Sequence, residues 1–238
     1  MSAGLISSWS FNRLKDFEKC PLMAWYKHGE KRKSETPPDP KSEEARNRGI
    51  QVHNEAEAFV KGEGDFTKNL SKHAEYFEEV RAKYTNGRVL VEDEWGFTES
   101  WEACGFFADE VWLRMKLDNI IFDDDEKTSA TVTDYKTGKK FGNEVTHNEQ
   151  GQLYAVGSFM RHPSLETVTT DFVYLDQGVH SKPRTYTREQ AMVFLPIWER
   201  RAKRLTEAQD FPPKANKQTC MWCPFGPQHG DATCEWGV

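Results

Sequence analysis

Between 113 and 118 apolar and polar residues alternate, with Leu113, Met115 and Leu117 on one side and Arg114, Lys116 and Asp118 on the other. That is the period of a half-buried β-strand. An acidic turn, Asp123-Asp124-Asp125, sends the chain back, and Ala130, Val132, Asp134 and Lys136 then share one face of a returning strand. The same reading places strands near 89–99, 109–122, 129–137 and 167–175. Helical spacing takes over elsewhere. Ser10 caps a helix that buries Phe11, Leu14 and Phe17 and ends near Cys20-Pro21. Ala45, Val52, Ala56 and Phe59 give a helix over 41–61, and others follow at 70–84 and 148–161. Thr187 and Gln190 form a capping box for a long helix toward Ala208, which Pro196 should kink or divide. The segment Arg32–Ser42, rich in proline, reads as an exposed loop. Strands alternating with helices predict an α/β fold. We expect a single domain over 1–238, with a helical part at 1–85, a core at 86–186, and a long helix with a cysteine-rich tail at 187–238.

Chemistry concentrates where the hairpin ends. Asp134 and Lys136 point the same way from one strand, and Asp118 ends the polar face of its neighbour. Two carboxylates and an ammonium at one place suit phosphodiester hydrolysis, in which carboxylates gather Mg2+ or Mn2+ against the developing negative charge. A solvated Asp/Lys pair would look the same in isolation. Further residues join it. Gln150 and Tyr154 stand one turn apart on a helix, Gly49, His53 and Glu57 share a helical stripe, and the first strand carries Glu92 and Glu94. A glycosidase built on paired acids would leave the strand lysine unexplained. The run Lys136-Thr137-Gly138-Lys139-Lys140 lacks the glycine spacing of a phosphate-binding loop.

These residues, in this order, resemble the PD-(D/E)XK nuclease superfamily, and within it the RecB-like exonucleases that include CRISPR-associated and phage-encoded members. The resemblance runs from Ser8 to Cys234. It rests on Gly49 and His53, then Asp118, then Asp134 with Lys136, then Gln150 and Tyr154. It implies a mixed central sheet flanked by helices, with Asp118, Asp134 and His53 at the metal and Lys136 acting on the water or transition state. Gln150 and Tyr154 would orient the site and the DNA. A glutamate of the first core strand often assists, and Glu94 is preferred here over Glu92. The implied activity is a metal-dependent DNA exonuclease, favouring single-stranded ends and possibly also cutting internally, in recombination, repair or replication, with a recombination or helicase partner. The competing expectation is a non-catalytic DNA-binding or assembly subunit that keeps the fold.

The chain carries five cysteines. The odd count and the lack of a signal peptide favour a reducing compartment, the cytoplasm of a bacterium or of a phage-infected cell. Cys220-x-x-Cys223 by itself is a motif for metal binding, redox chemistry or neither. Some RecB-like nucleases hold a 4Fe-4S cluster on one early and three late cysteines. Cys20 with Cys220, Cys223 and Cys234 has that distribution, so the resemblance implies a cluster that clips the chain ends together. The long interval from Cys223 to Cys234 keeps Zn2+ as the alternative, with His229 as a substitute ligand. Cys104 falls outside the pattern and is expected to be a buried thiol.

Net charge changes the picture of DNA binding. At −6 the chain offers no broad basic face. A confined path remains open to it, through Lys31-Arg32-Lys33, Lys139-Lys140, and Arg200, Arg201, Lys203 and Arg204.

Overall fold

The computed structural model describes residues 5–37 and 39–238. Its helices are α1 (Phe11–Lys19), α2 (Pro21–Ala24), α3 (Pro40–Lys61), α4 (Ala74–Thr85), α5 (Glu144–Arg161), α6 (Arg188–Met192), α7 (Leu195–Thr206) and α8 (Lys217–Met221). The strands are β1 (Val89–Phe97), β2 (Ala103–Cys104), β3 (Leu113–Phe122), β4 (Ser129–Lys136), β5 (Thr167–Tyr174), β6 (Val179–His180) and β7 (Arg184–Thr187). They form one sheet in the order β2-β1-β3-β4-β5-β6, with β7 also paired to β5. All pairings are antiparallel except β4 with β5. A parallel pair needs a crossover connection, and α5 supplies it. The sheet is therefore mixed and flanked by helices, as expected. Backbone contacts divide the chain into two compact units, one spanning Glu44–Pro196 and one combining Met1–Glu43 with Ile197–Val238.

In the first unit, Val52, Ala56 and Phe59 of α3 and Phe77 and Val80 of α4 bury against Val89, Ile121, Tyr135 and Val173 of the sheet. Each valine, isoleucine and phenylalanine among them contributes about 1.5–3 kcal/mol on leaving water. The crossover helix α5 buries Leu153, Ala155, Val156 and Phe159. It lies close to the sheet because two of its residues are glycines. A Cβ at Gly151 would come 2.9 Å from Thr170 Oγ1, and one at Gly157 would come 2.6 Å from Met115 Sδ. The acidic turn closes through Asp124, whose carboxylate accepts from the Thr128 and Ser129 amides.

In the second unit, Trp198 stacks on Trp9 at 6.3 Å and meets the edge of Phe11. Arg201 donates two hydrogen bonds to the Glu18 carboxylate, from Nε at 2.7 Å and Nη2 at 2.8 Å. Arg32 lies 3.7 Å over the Tyr26 ring. Two members of the expected basic path are thus engaged within the fold.

Ser10 caps α1, and Thr187 with Gln190 forms the capping box of α6. Elsewhere the boundaries move. The crossover helix begins at Glu144 rather than 148, and the long C-terminal helix is interrupted at 193–194. Pro196 falls in the first turn of α7, where its missing N–H has no helical partner to lose. Pro38, within the loop expected at 32–42, lies outside the described residues. Cys104 sits on the edge strand β2 and is half-exposed, because a two-residue edge strand covers only one side of it.

Candidate active site

The site forms where β3 and β4 part. Their ladder ends at Asn119 opposite Thr133, while β4 continues along β5 as far as Lys136 opposite Tyr174. Beyond that end, the Asp118 carboxylate stands in for a backbone acceptor and receives the Tyr135 N–H. Asp134 is buried beside it. Its Oδ1 accepts from Tyr154 Oη–H at 2.7 Å and from Gln150 Nε2 at 3.1 Å, and its Oδ2 pairs with Lys136 Nζ at 2.6 Å. Lys136 Nζ also donates to Gln150 Oε1 at 3.2 Å, so the lysine, acid and amide close a ring. The i, i+4 spacing of Gln150 and Tyr154 on α5 lets both reach one carboxylate.

Helix α3 approaches the same opening. Gly49 faces Thr137, whose hydroxyl a Cβ there would meet at an ordinary contact distance of 3.4 Å. One turn later, His53 Nδ1 lies 2.9 Å from Asp118 Oδ1 and 3.9 Å from Glu92 Oε1. Glu92 in turn pairs with Lys116 at 2.8 Å.

The glutamate of β1 that joins His53 and Asp118 is thus Glu92, while Glu94, the preferred candidate from the sequence, lies outside that group. Glu94 is exposed and pairs in register with Lys116. Glu92 falls between the pairs Val91–Asn119 and Asp93–Leu117, level with Asp118, and has a φ of 51°. A left-handed glutamate inside a strand stores about 1–3 kcal/mol of strain, which surrounding bonds must hold.

Charges in the cluster oppose and support one another. Burial pushes the His53 imidazole down, but its bonds to Asp118 and Glu92, with the charges of Asp118 and Asp134, outweigh that and raise it to about 10. Burial, followed by the Asp134 charge, raises Asp118 to about 6 despite its bonds to His53 and the Tyr135 amide. Burial also works against the Glu92 carboxylate, yet its bonds to His53 and Lys116 hold it below the usual range. Tyr154 is pushed well above the ordinary phenol range, first by burial and then by the Asp134 and Asp118 charges. It stays a donor to Asp134 at every working pH.

Such a donor set fits a hard divalent cation. A ligand atom from each of His53, Glu92 and Asp118 lies within 4.8 Å of the others. Two carboxylates and an imidazole suit Mn2+ or Mg2+, and binding would replace the proton that His53 holds. Asp134, the third expected ligand, stands beside this group, its carboxylate hydrogen-bonded to Lys136, Gln150 and Tyr154. When bound, the metal would polarise a phosphoryl oxygen and lower the pKa of an attacking water. Lys136, fixed between Asp134 and Gln150, holds its ammonium next to that chemistry. The sequence offers Glu92 as one of two candidates, whereas Lys116 shows there only as a polar position of its strand.

Four of the five cysteines border one pocket of the other unit without their sulfurs forming a group. Cys20, Cys220, Cys223 and Cys234 line one pocket with Met23, Tyr26 and Phe225. The long interval between Cys223 and Cys234 folds back on itself. The Gly226 N–H donates to Cys223 O, the Cys234 N–H donates to Phe225 O, and Gly230 lies where a Cβ would come 2.4 Å from Pro224 O. Among the described residues no three thiols bring their sulfurs within 4.8 Å of one another. The sulfurs are thus not gathered as one tetrahedral zinc, with bonds of about 2.3 Å, requires. His229 stacks on Trp222 at 4.2 Å and is not part of the pocket lining.

No helix among the described residues is long and apolar enough to cross a membrane. No curated protein matches the chain. Among solved structures, one titled "Crystal structure of SSO0001" aligns over 98% of this chain and 88% of its own, at 12% identity and a TM-score of 0.42. A likeness that weak adds nothing to the argument. The family model of the PD-(D/E)XK nuclease superfamily, whose members are metal-dependent nucleases acting on DNA, matches residues 8–228. With the match spanning nearly the whole chain and enclosing both ends of the site, this chain belongs to the PD-(D/E)XK nuclease superfamily.

Proposed function

We propose that the protein is a metal-dependent DNA exonuclease of the RecB-like group, acting on single-stranded ends in recombination, repair or replication. The observation that carries this reading is the meeting of His53, Glu92 and Asp118 beside a buried Asp134 that three donors hold in place. His53, Glu92 and Asp118 hold the cation, Asp134 faces the scissile phosphate, and Lys136 orients the attacking water or steadies the transition state. Gln150 and Tyr154 position Asp134 and Lys136. The thiols of Cys20, Cys220, Cys223 and Cys234 carry a 4Fe-4S cluster. What supports this choice is that the four thiols line one apolar pocket. The working compartment is a bacterial or phage-infected cytoplasm.

The test is cleavage of end-labelled single- and double-stranded DNA with Mn2+, Mg2+ or EDTA. Wild type should cut only with metal, and Lys136→Ala should lose about 10²–10³ in kcat, the scale of removing one electrostatic stabiliser. DNA binding without cleavage by either protein would replace the enzyme with a DNA-binding assembly subunit.

A further inference from the structure

Between β4 and α5 the chain makes a short loop, 137–143, that leaves Lys136 and leads to the helix carrying Gln150 and Tyr154. The loop is tied down. Lys140 Nζ donates to His180 O at 2.9 Å, Asn143 Nδ2 donates to Lys139 O at 2.9 Å, and the Gly142 N–H donates to Glu144 Oε2 at 2.8 Å. Gly142 turns the chain at a φ of 87°. Yet this anchored loop holds Phe141 in solvent at 84% exposure, with Val145 close by in sequence at 75%.

An exposed phenylalanine forgoes about 1.5–3 kcal/mol of burial, so what covers its ring is worth asking. Other exposed aromatics already have ring partners, Phe107 against Phe106 at 4.9 Å and Trp222 against His229 at 4.2 Å. Trp236 lines the cysteine pocket. Among the described residues none stacks on Phe141. The segment around it carries Lys136, Lys139 and Lys140, and Lys139 is exposed. An aromatic ring among lysines, a few residues from an acid cluster suited to phosphodiester chemistry, matches the composition of a stacking platform for unpaired nucleobases.

We propose that Phe141 stacks on a nucleobase of the strand being cut, with Lys139 against its backbone phosphate. This rests on the DNA reading above and sharpens it. A base in a duplex has both faces covered by its neighbours, so a stacking ring selects single-stranded or frayed DNA, with little regard to sequence.

The experiment uses single-stranded oligonucleotides bearing 2-aminopurine at successive positions from one end, with full-length protein in EDTA for binding and in Mn2+ for cleavage. Wild type should quench the fluorophore at one or two positions. Phe141→Ala should lose the quench, bind roughly tenfold more weakly and show the loss in KM rather than kcat, while Phe141→Trp restores both binding and quenching. A wild type that cuts DNA while Phe141→Ala binds and quenches equally overturns the stacking role alone. A wild type that neither binds nor cuts any DNA overturns it together with the nuclease reading.

Discussion

The acid cluster and the cysteine pocket are built by opposite means. Around Asp118 and Asp134 nearly every polar atom meets another: Tyr135 N–H, His53, Lys136, Gln150 and Tyr154 all bond to a carboxylate. The cysteine pocket is apolar, with Met23, Tyr26 and Phe225 around the thiols, and burial raises the Cys223 thiol. One site is preorganised by hydrogen bonds on a sheet; the other is held by packing between remote stretches of chain. Damage to the first should appear in chemistry, since hydrogen bonds hold it without the cation, and damage to the second in stability, since the proposed cluster would add its binding free energy to folding.

The strongest way to break this contrast is Cys223→Ser. Iron content should fall from about one cluster per chain to near zero, and the unfolding temperature should drop by roughly 10 °C, read by elemental analysis and a thermal melt. A variant with unaltered metal content and melting would reduce the pocket to ordinary core. A smaller effect separates the two glutamates of β1. Glu92→Gln should weaken Mn2+ binding about 10–100-fold by calorimetry, with little change in melting, whereas Glu94→Gln should bind as wild type does. Equal losses would return Glu94 to the site.

The gentlest probe is pH. His53 has a folded pKa raised to about 10. Its contribution to metal-free stability is therefore complete below its unfolded value, near 6.5, and is lost as pH rises toward 10. Bound metal must displace the same proton, so Mn2+ affinity should climb with pH by up to about tenfold per unit. Melting curves in EDTA and in Mn2+ should accordingly separate as pH goes from 6 to 9. Curves that stay parallel would show that the imidazole proton does not compete with the metal.

The contrast also explains what sequence could reveal. Asp118, Asp134 and Lys136 were legible because alternation along two strands fixes which residues share a face, and Gln150 with Tyr154 because helical spacing does the same. Glu92 and Glu94 were not separable on that basis. They have the same parity on β1, and only the register with β3 puts Glu92 level with Asp118. The φ of 51° at Glu92 leaves no mark in the residue pattern. Likewise, no local period announces that the stretch after Cys223 folds back through Gly226 and Gly230, since that turn depends on close approaches to backbone carbonyls. The sequence expects Pro196 to divide the helix, but the break falls at 193–194 and Pro196 lies in the first turn of the next helix.

The parallel pairing of β4 with β5 sets a timetable. Asp118, Asp134, both α5 side chains and all of β5 leave the ribosome well before Cys220, the first of the late cysteines. The sheet and its crossover can therefore close, and the acids find their partners, while Cys20 still waits for the rest of its set. During synthesis the acids can meet their partners before the thiol pocket has all of its residues.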